Sequence, residues 1–396
     1  MAFIYIGSLY PPHMIEELKG LHSSIDYAAE TFQTSLVNGF ISHCSDLKII
    51  TAPNVSSFPR ISKAFFAKRY FQYNGLNGEH VFTGFVNIPI LKHLSKSLRI
   101  LKAIHQLSDS DTTNSIVVYG VHSPFLLPVL AMKKKRKLKV SLIVPDLPEY
   151  MSGNKSFLFL LAKKFDRCLI NMCLRTVDTF VLFSPHMAEK LPVNGHPWIH
   201  LEGILDRSNI VQDSYPKDEN KVILYTGNLS ERMGITNLLE AFSKIPFPNY
   251  RLWIRGAGEC RQKVREASQI DDRIVYFEQM SKRELLALQK KATILINPVF
   301  ASETFTRYFF PSKTMEYLSS GTPTVMSHLA CIPKEYDKHI YYFDEDSVDG
   351  IKNKIIEICE KPQEELMTFG KAAADFIHTE KNEVKQAGRV LKLLEL

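Results

Sequence analysis

The chain has few of the features that mark small secreted, metal-binding or membrane-spanning proteins. Its six cysteines form no Cys-x-x-Cys pair and show no metal-ligand spacing with histidine, so a disulfide framework or a zinc module is excluded and free thiols in a reducing compartment are expected. No apolar run approaches the roughly 18 residues of a membrane-spanning helix. No internal repeat or low-complexity segment is present. Because no charged n-region precedes the apolar residues 3–6, they indicate a first strand rather than a signal peptide, and a cytoplasmic location is expected.

The 396 residues are too many for one ordinary core, which predicts two domains. Charge is divided unevenly between the halves. Residues 1–200 hold 22 Lys and Arg against 13 Asp and Glu, a net charge of +9, whereas the remainder holds 27 against 29, a net charge of −2. A basic half can face nucleic acid, an anionic membrane or an acidic acceptor. Its densest run, Lys133 to Lys137 with Lys139, is interpreted first as a solvated helix end, and no nucleic-acid-binding module accompanies it.

Short apolar runs alternate with helical patterns, which predicts parallel α/β units in both halves. A polar stretch at 206–220 is interpreted as the linker. The predicted domains are residues 1–205 and 206–375, with a C-terminal helix at 376–396 that packs back on the first domain. Two closing helices are expected at 352–360 and 372–396. The strand candidates are residues 3–6, 47–51, 115–119, 140–144 and 179–183, then 222–225, 251–254, 274–277, 293–297 and 323–326.

The segment from Phe309 to Pro323 carries the strongest functional signal. Pro311 and Ser312 are typical of a helix start, and Glu316 lies about one turn inside. Free N–H groups at a helix start suit a phosphate, and a carboxylate nearby accepts hydrogen bonds from a polyol, so the pair suits a sugar nucleotide. An ordinary buried helix with a proline start is the alternative.

Two glycine turns follow strands of the second half. Gly227 ends the first strand and precedes Arg232, a cation that could neutralise a diphosphate. Gly256 and Gly258 end the next strand in a Gly-x-Gly turn without the third glycine of a dinucleotide fingerprint. Each alone is also typical of a simple βα turn, but both lie at strand carboxyl ends, where doubly wound sheets bind ligands.

Together and in this order, these segments resemble the nucleotide-binding lobe of GT-B glycosyltransferases, specifically glycosyltransferase family 4. The Pro-Ser-Lys variant before Glu-Tyr is similar to enzymes that build bacterial capsule, O-antigen or exopolysaccharide units. The matching positions are Tyr225 to Leu229, Gly234 and Ile235, Leu238 and Leu239, Gly256 to Glu259, Asn297 and Pro298, Pro311 to Lys313, Glu316 and Tyr317, and Gly321 to Pro323.

The resemblance implies an α/β GT-B fold of two doubly wound parallel-sheet domains facing across a cleft. It implies a metal-independent retaining glycosyltransferase that takes a UDP- or GDP-linked sugar as co-substrate, uses no separate cofactor, and acts on a glycan or lipid-linked glycan acceptor. The acid triplet at 344–346 fits the metal-binding Asp-x-Asp pattern of another glycosyltransferase fold, but it precedes a helical run and is interpreted as a helix entry. No metal site is predicted.

Residue roles follow from the same resemblance. Glu316 matches the ribose-binding second glutamate of the family's Glu-x7-Glu motif, whose first position is Tyr308 here, so Tyr308 or Glu303 is expected to contact the donor sugar. Arg232 lies near the phosphate-binding cations, although Asn228 and Met233 replace the usual arginine and lysine. The base is expected at the loop of Phe277, Glu278, Gln279 and Met280, mainly through backbone, and Phe310, Ser312 and Lys313 complete the predicted donor site.

The first half carries a thinner match. Gly7 lies where the N-terminal loop approaches the donor diphosphate. His122 follows a strand as does a histidine near the donor sugar, although a lone loop histidine is more often structural. Asp146 follows the next strand as an acceptor-side carboxylate or a turn cap. The aromatic and basic residues 65–71 suit either an interfacial segment or, more simply, a core helix.

Two other functions remain open. A GT-B sugar-nucleotide epimerase would share the layout and need acid and base residues. A non-catalytic GT-B partner subunit would keep the fold, and Tyr308 in place of a glutamate is the residue that favours it. The basic half favours an acceptor with a lipid pyrophosphate at an anionic membrane surface.

Overall fold

The computed structural model describes residues 2–23, 25–73, 76–147, 157–207, 210, 213, 215–278 and 280–396. The predicted positions Gln279 and 148–150 lie outside the described residues. The chain forms two compact units, one of Met1–Ile204 with Glu383–Leu396 and one of Leu205–Asn382. Each unit contains its own largely parallel sheet, which confirms the predicted α/β class with two doubly wound sheets.

The first unit is built on an eight-stranded sheet in the order β10-β9-β8-β7-β1-β2-β5-β4, parallel except for β4. Its helices are α1 (Pro12–Gly20), α2 (Tyr27–His43), α3 (Leu91–Leu107), α4 (Ser123–Lys133) and α5 (Phe157–Leu174). The strands are β1 (Phe3–Gly7), β2 (Leu47–Thr51), β3 (Phe65–Phe66), β4 (Arg69–Tyr73), β5 (Leu76–Phe82), β6 (Phe85–Val86), β7 (Asn114–Tyr119), β8 (Leu138–Val144), β9 (Thr179–Leu182) and β10 (Trp198–His200), of which β3 and β6 form a separate pair.

The order in which the chain adds strands to this sheet reverses between the parallel strands β1 and β7. From β1 the chain moves to β2 on one side, and later strands continue from β7 on the other. The carboxyl ends of these two strands therefore flank a topological switch point, the usual ligand position in open α/β sheets. Gly7 ends β1, and His122 follows β7 by three residues.

The helical interpretation of residues 65–71 is wrong. Phe65 and Phe66 form β3, with the first side chain exposed and the second buried, and residues from Arg69 form the antiparallel edge strand β4. Successive side chains of a strand point to opposite faces, and aromatic residues favour strands. The lysine run lies at a helix end as expected, because α4 ends at Lys133 and the following Lys134, Lys135 and Lys137 are exposed, but Lys139 belongs to β8 and Lys133 pairs with Asp178 at 2.7 Å.

The second unit has a parallel six-stranded sheet in the order β13-β12-β11-β14-β15-β16. Its strands are β11 (Lys221–Asn228), β12 (Tyr250–Ala257), β13 (Ile274–Phe277), β14 (Ile294–Asn297), β15 (Thr324–Met326) and β16 (Tyr341–Tyr342). Its helices are α6 (Ile235–Ser243), α7 (Arg261–Ile270), α8 (Lys282–Lys291), α9 (Lys313–Ser319), α10 (Val348–Cys359) and α11 (Gln363–Glu380).

Local sequence explains several of these boundaries. A capping box starts α8, because Ser281 accepts from the Glu284 N–H while the Glu284 carboxylate accepts from the Ser281 N–H. The acid triplet does precede a helix: Ser347 caps α10, and Asp346 accepts from the Ser302 N–H and the Ser327 hydroxyl.

The C-terminal region has two helices where one was expected at 372–396. Helix α11 ends at Glu380, and α12 (Glu383–Leu394) follows. The break occurs because the Asn382 amide donates to the carbonyls of His378 and Thr379, at 3.0 and 2.9 Å, and satisfies the end of α11. Ala373 and Ile377 belong to a core of the second unit, whereas Ala387, Val390, Leu391 and Leu394 of α12 enter the core of the first.

Helix α12 packs closely on α2. A side chain at Gly39 of α2 would lie 2.1 Å from the Glu383 carbonyl oxygen, so the contact requires glycine there. Among the residues described, none of the helices combines the length and apolar character needed to cross a membrane.

Candidate active site

The glycine turns of the second unit pack on each other at the carboxyl edge of its sheet. Gly227 of β11 and Gly256 of β12 are register partners. A Cβ at Gly256 would lie 1.9 Å from the Gly227 carbonyl oxygen, and one at Gly258 would lie 2.3 Å from that of Leu229. Both glycines are thus required by backbone contact within the protein. Their turns form one layer whose outer surface has no side-chain bulk at these positions.

The loop after β11 also reaches the end of β14, across the switch point of this sheet. Gly234 adopts a left-handed φ of 76°, and a Cβ there would lie 2.1 Å from the Pro298 carbonyl oxygen. Arg232 lies in the same loop, with its guanidinium 3.9 Å from the centre of the Phe305 ring. Stacking fixes the guanidinium plane and leaves its N–H edge able to bind an anion.

Helix α9 is attached to β11 through Tyr317. The Tyr317 hydroxyl accepts from the Thr226 N–H at 2.7 Å and donates to the Thr226 carbonyl at 3.0 Å. The side chain is only 1% exposed. Since Thr226 directly precedes Gly227, this pair of bonds ties α9 to the strand end that carries the first glycine turn.

Glu316 of α9 is consequently held close to the same turn. Its Oε1 accepts from the Gln289 amide at 2.6 Å and lies 3.2 Å from the Lys313 ammonium. The side chain is 15% exposed. Both bonds end on one oxygen, so Oε2 is the atom that can accept from a ligand. Lys313 and Ser312 lie at the helix start as predicted, although α9 has only seven residues.

The structure distinguishes the remaining predicted donor residues by accessibility. Phe310 and Tyr308 are buried, and Phe310 belongs to a core cluster, so its ring is occupied by the fold and only its backbone can serve a ligand. Phe277 packs edge to face on Trp253, and Glu278 pairs with Arg265. Asn228 and Met280 retain exposed surface.

Sequence reasoning missed Arg255. It occupies the carboxyl end of β12 opposite Thr226, and its Nε is buried with no hydrogen-bond partner among the residues described. A buried N–H group without an acceptor is costly, which makes the half-buried Arg255 a candidate anion contact. The available signal was an arginine inside the apolar run that precedes the Gly-x-Gly turn.

In the first unit, Gly7 is explained by packing. A Cβ there would lie 2.4 Å from Gln33 Oε1 and 2.8 Å from the Tyr5 ring. The same Gln33 oxygen accepts from the Ser8 N–H at 2.9 Å and fixes the loop that leaves β1. The predicted approach of Gly7 to a diphosphate stays a prediction.

His122 ends the loop after β7 and precedes α4. Burial and then the charges of Lys96 and His93 lower its pKa to about 4. Its imidazole is therefore neutral at pH 7 and can exchange hydrogen bonds without adding positive charge.

Asp146 lies in a different electrostatic neighbourhood. Burial and then the carboxylate of Asp26 raise its pKa. Burial raises the pKa of the Tyr119 phenol, and the carboxylates of Asp26, Asp146 and Glu30 raise it further. Asp146 thus shares its electrostatic surroundings with Asp26, which caps α2, and with Glu30 of the first turn, two acids that sequence reasoning missed. The charged groups acting on His122 are Lys96, His93 and Asp166.

Glu30 is the most perturbed acid of this group. Burial raises its pKa to about 7, although the Tyr10 N–H and the Thr34 side chain donate to it and oppose the shift. A carboxyl group with this pKa can accept or donate a proton near neutral pH. Its sequence position, in the first turn of α2 after the cap Asp26, is typical of simple helix capping and gave no such signal.

Comparison with known proteins gives a consistent result. Residues 206–376 match the family model described as "Glycosyl transferases group 1". Among curated protein sequences no relative matches the chain. Solved structures similar over the whole chain include a sucrose-phosphate synthase from Thermosynechococcus elongatus, at 13% identity, 98% coverage of that chain and a TM-score of 0.64.

Two further solved structures are similar over 100% of this chain. The lipopolysaccharide outer core galactosyltransferase WaaB matches at 13% identity, 99% coverage of that chain and a TM-score of 0.63. HepE of Anabaena, in complex with UDP, matches at 11% identity, 100% coverage of that chain and a TM-score of 0.64. The similarity confirms the GT-B fold, and together with the matched segment it supports a GT-B glycosyltransferase.

We expect Tyr317→Phe to lower the free energy of unfolding by about 1–3 kcal/mol, because it leaves a buried N–H and carbonyl of Thr226 without their partner. Urea titration measures this. Tyr276→Phe is the control, since it removes one bond, to the Gly256 carbonyl, from a less buried ring and is expected to cost less. Equal costs for the two variants would contradict the attachment described for α9.

We expect Glu30→Gln to stabilise the protein in a pH-dependent way. The folded chain holds the Glu30 proton up to a pKa of about 7, whereas the unfolded chain releases it near 4.5. Wild-type stability should therefore fall relative to the variant between these pH values, by about 1–3 kcal/mol in total. Urea titrations from pH 4.5 to 8 measure this difference, with Glu16→Gln as an exposed control in the same unit. A difference between wild type and Glu30→Gln that does not change with pH would refute the raised pKa.

Proposed function

We propose that the protein is a retaining glycosyltransferase that binds a nucleotide-diphosphate sugar on its second unit. The observation that carries the proposal is the position of Glu316, held beside the glycine turn of β11 by the bonds of Tyr317 to Thr226. A carboxylate at the carboxyl edge of a doubly wound sheet, next to turns without side-chain bulk, suits a ribose and its diphosphate.

In this arrangement Glu316 accepts hydrogen bonds from the ribose hydroxyls. The diphosphate lies along Gly227 and Asn228 and near the Gly256 to Gly258 turn, with Arg232, Ser312 and Lys313 as its polar partners. The base contacts the backbone of Phe277, Glu278 and Met280. Arg232 and Lys313 supply positive charge where a metal ion would otherwise neutralise the phosphates, which supports metal-independent chemistry.

The reaction forms a bond between an acceptor oxygen and the anomeric carbon of the donor sugar while the bond from that carbon to the diphosphate oxygen breaks. The nucleoside diphosphate leaves with the bonding electron pair, and the proton of the acceptor hydroxyl passes to its phosphate. Retention of configuration follows from the family resemblance. Glu303, which is exposed, is favoured over the buried Tyr308 as the contact to the donor sugar.

The acceptor is assigned to the first unit and is a glycan, in particular a lipid-linked intermediate of a bacterial surface polysaccharide. The net charge of +9 over residues 1–200 of the protein suits an acceptor with a lipid pyrophosphate at the inner face of the plasma membrane. Asp146 and the neutral His122 are the proposed polar groups near the reacting centre. A UDP-linked donor is the first choice, since HepE of Anabaena was solved with UDP.

A non-catalytic partner subunit is the second candidate, favoured by Tyr308 at the position of the missing glutamate. Incubation with labelled UDP- and GDP-sugars separates the possibilities. Transfer to a glycan acceptor with retained anomeric configuration supports the proposal. Binding without turnover supports the subunit, and change of the donor sugar without any acceptor supports an epimerase.

We expect Glu316→Ala to weaken UDP binding roughly 10- to 100-fold, because hydrogen bonds to a charged group contribute about 1.5–3 kcal/mol. Isothermal titration calorimetry measures the dissociation constant. Glu240→Ala is a matched control, since Glu240 of α6 also pairs with a nearby lysine, Lys244 at the C-terminal end of the helix, at 3.1 Å. The ribose assignment fails if the two variants bind UDP with the same affinity.

A further inference from the structure

Helix α3 places lysines inward and leucines outward over its first two turns. Lys92 and Lys96 are 9% and 3% exposed, whereas Leu91, Leu94 and Leu98 are between 49% and 58% exposed. The leucines follow one another at three and four residues and therefore lie on one face of the helix.

The inward lysines are anchored, so the helix cannot simply rotate to hide its leucines. The Lys96 ammonium donates to the carbonyls of Ala52 and Pro53, at 2.9 and 2.7 Å, and lies 4.5 Å from the centre of the Phe85 ring. Lys92 donates to the carbonyl of Val55. These bonds satisfy both buried ammonium groups and fix the outward face of α3.

The outward apolar face continues ahead of the helix. Ile88 is 39% exposed, and Ile90 is 84% exposed with a φ of 69°. A β-branched residue at positive φ is strained, and here the strain is not offset by burial of the side chain within the chain. Such a residue points to a requirement outside the fold itself.

Aromatic and basic side chains border this face. Phe65 of β3 is about half exposed, with the Arg99 guanidinium of α3 5.3 Å from its ring centre. Tyr70 of β4 is more than half exposed, and the Lys68 ammonium lies 4.7 Å from its ring centre and 3.2 Å from Gln106 Oε1 near the end of α3. Aromatic rings paired with cations are typical of side chains at the lipid headgroup level.

The surrounding segment has a single sign of charge. Residues 52–107 contain eight Lys and Arg and one acid, Glu79. An apolar face within a basic segment is complementary to an anionic lipid surface, whereas an apolar protein partner would not need the cations.

We propose that the α3 face, defined as Phe65, Tyr70, Ile90, Leu91, Leu94 and Leu98, inserts into the interfacial layer of an anionic lipid bilayer. Membrane insertion of this face would bring the first unit to a lipid-linked acceptor and so deepens the proposed function. Only this link to the acceptor rests on the proposed function. The protein attaches peripherally, with the leucines and Ile90 among the acyl chains and Arg99, Lys102 and Lys68 at the phosphates.

The test is flotation of the full chain with vesicles of phosphatidylcholine containing 30% phosphatidylglycerol, and with vesicles of phosphatidylcholine alone. We expect at least tenfold stronger binding to the anionic vesicles. The double variant Leu94→Gln with Leu98→Gln should lose at least tenfold of this binding without a change of net charge. Ile270→Gln with Met367→Gln, which replaces two exposed apolar residues of the second unit, should retain it.

Ile90→Gly separates membrane binding from folding. Glycine adopts a positive φ without a steric cost, so this variant should melt at the same temperature as wild type or higher while it binds anionic vesicles several-fold more weakly. Binding that is equal for both vesicle types, or unchanged in the leucine double variant, overturns the proposal. A concentration-dependent dimer that the leucine variant abolishes also overturns it, since a second copy would then cover the face. UDP titration of the same variants reports on the donor site independently, so either idea can fail alone.

Discussion

The candidate donor site depends on one buried contact, the Tyr317 hydroxyl on the backbone of Thr226. The hydroxyl serves both the N–H and the carbonyl of Thr226, the strand residue just before Gly227. It thereby ties the two-turn helix α9 to the strand end that carries a glycine turn. Without it, the contacts that hold Glu316 within the described part of the chain would be those with Gln289 and with Lys313 of its own helix. The close glycine contacts of β11 and β12 supply the opposite, rigid side of the same edge. A helix of seven residues is too short to hold a carboxylate in place by itself, but the buried tyrosine fixes the helix and so fixes the carboxylate.

The two units handle charge in different ways. In the second unit, exposed or half-exposed cations lie around the glycine turns, as suits a diphosphate. In the first unit, burial keeps His122 neutral and raises the pKa of Glu30 to about 7, so its polar edge carries less charge near pH 7 than its residue types suggest. A neutral, proton-exchanging edge suits sugar hydroxyls, whereas the basic charge of this unit is concentrated elsewhere, including the segment that contains α3.

Most of the fold could be predicted from the sequence because parallel strands buried on both faces are short continuous apolar runs. All ten strand candidates correspond to strands of the structure. The start of α9 was readable from Pro311 and Ser312, and the acid entry to α10 was readable from the residues before that helix. The edge elements were not. The run at 65–71 covers β3 of the separate strand pair and the start of the edge strand β4, and its mixture of aromatic and basic residues is also typical of an amphipathic helix. The break before α12 depends on an asparagine side chain that bonds backwards along the chain, which periodicity cannot reveal.

Candidate site residues could be named from the sequence where a motif marks them, but not where only three-dimensional packing does. Glu316, Arg232 and the glycine turns were named from spacing and stay predictions, whereas Phe310 and Tyr308 were expected to serve a ligand and are buried in the fold. Arg255 and Glu30 were missed because their candidate roles depend on the burial of their side-chain atoms, which a single sequence does not specify. The most direct test of the central claim is hydrogen–deuterium exchange of the wild-type chain with and without saturating UDP. The account predicts slower exchange at residues 226–234, 256–259 and 312–317. Unchanged exchange there, or protection confined to the first unit, would contradict it.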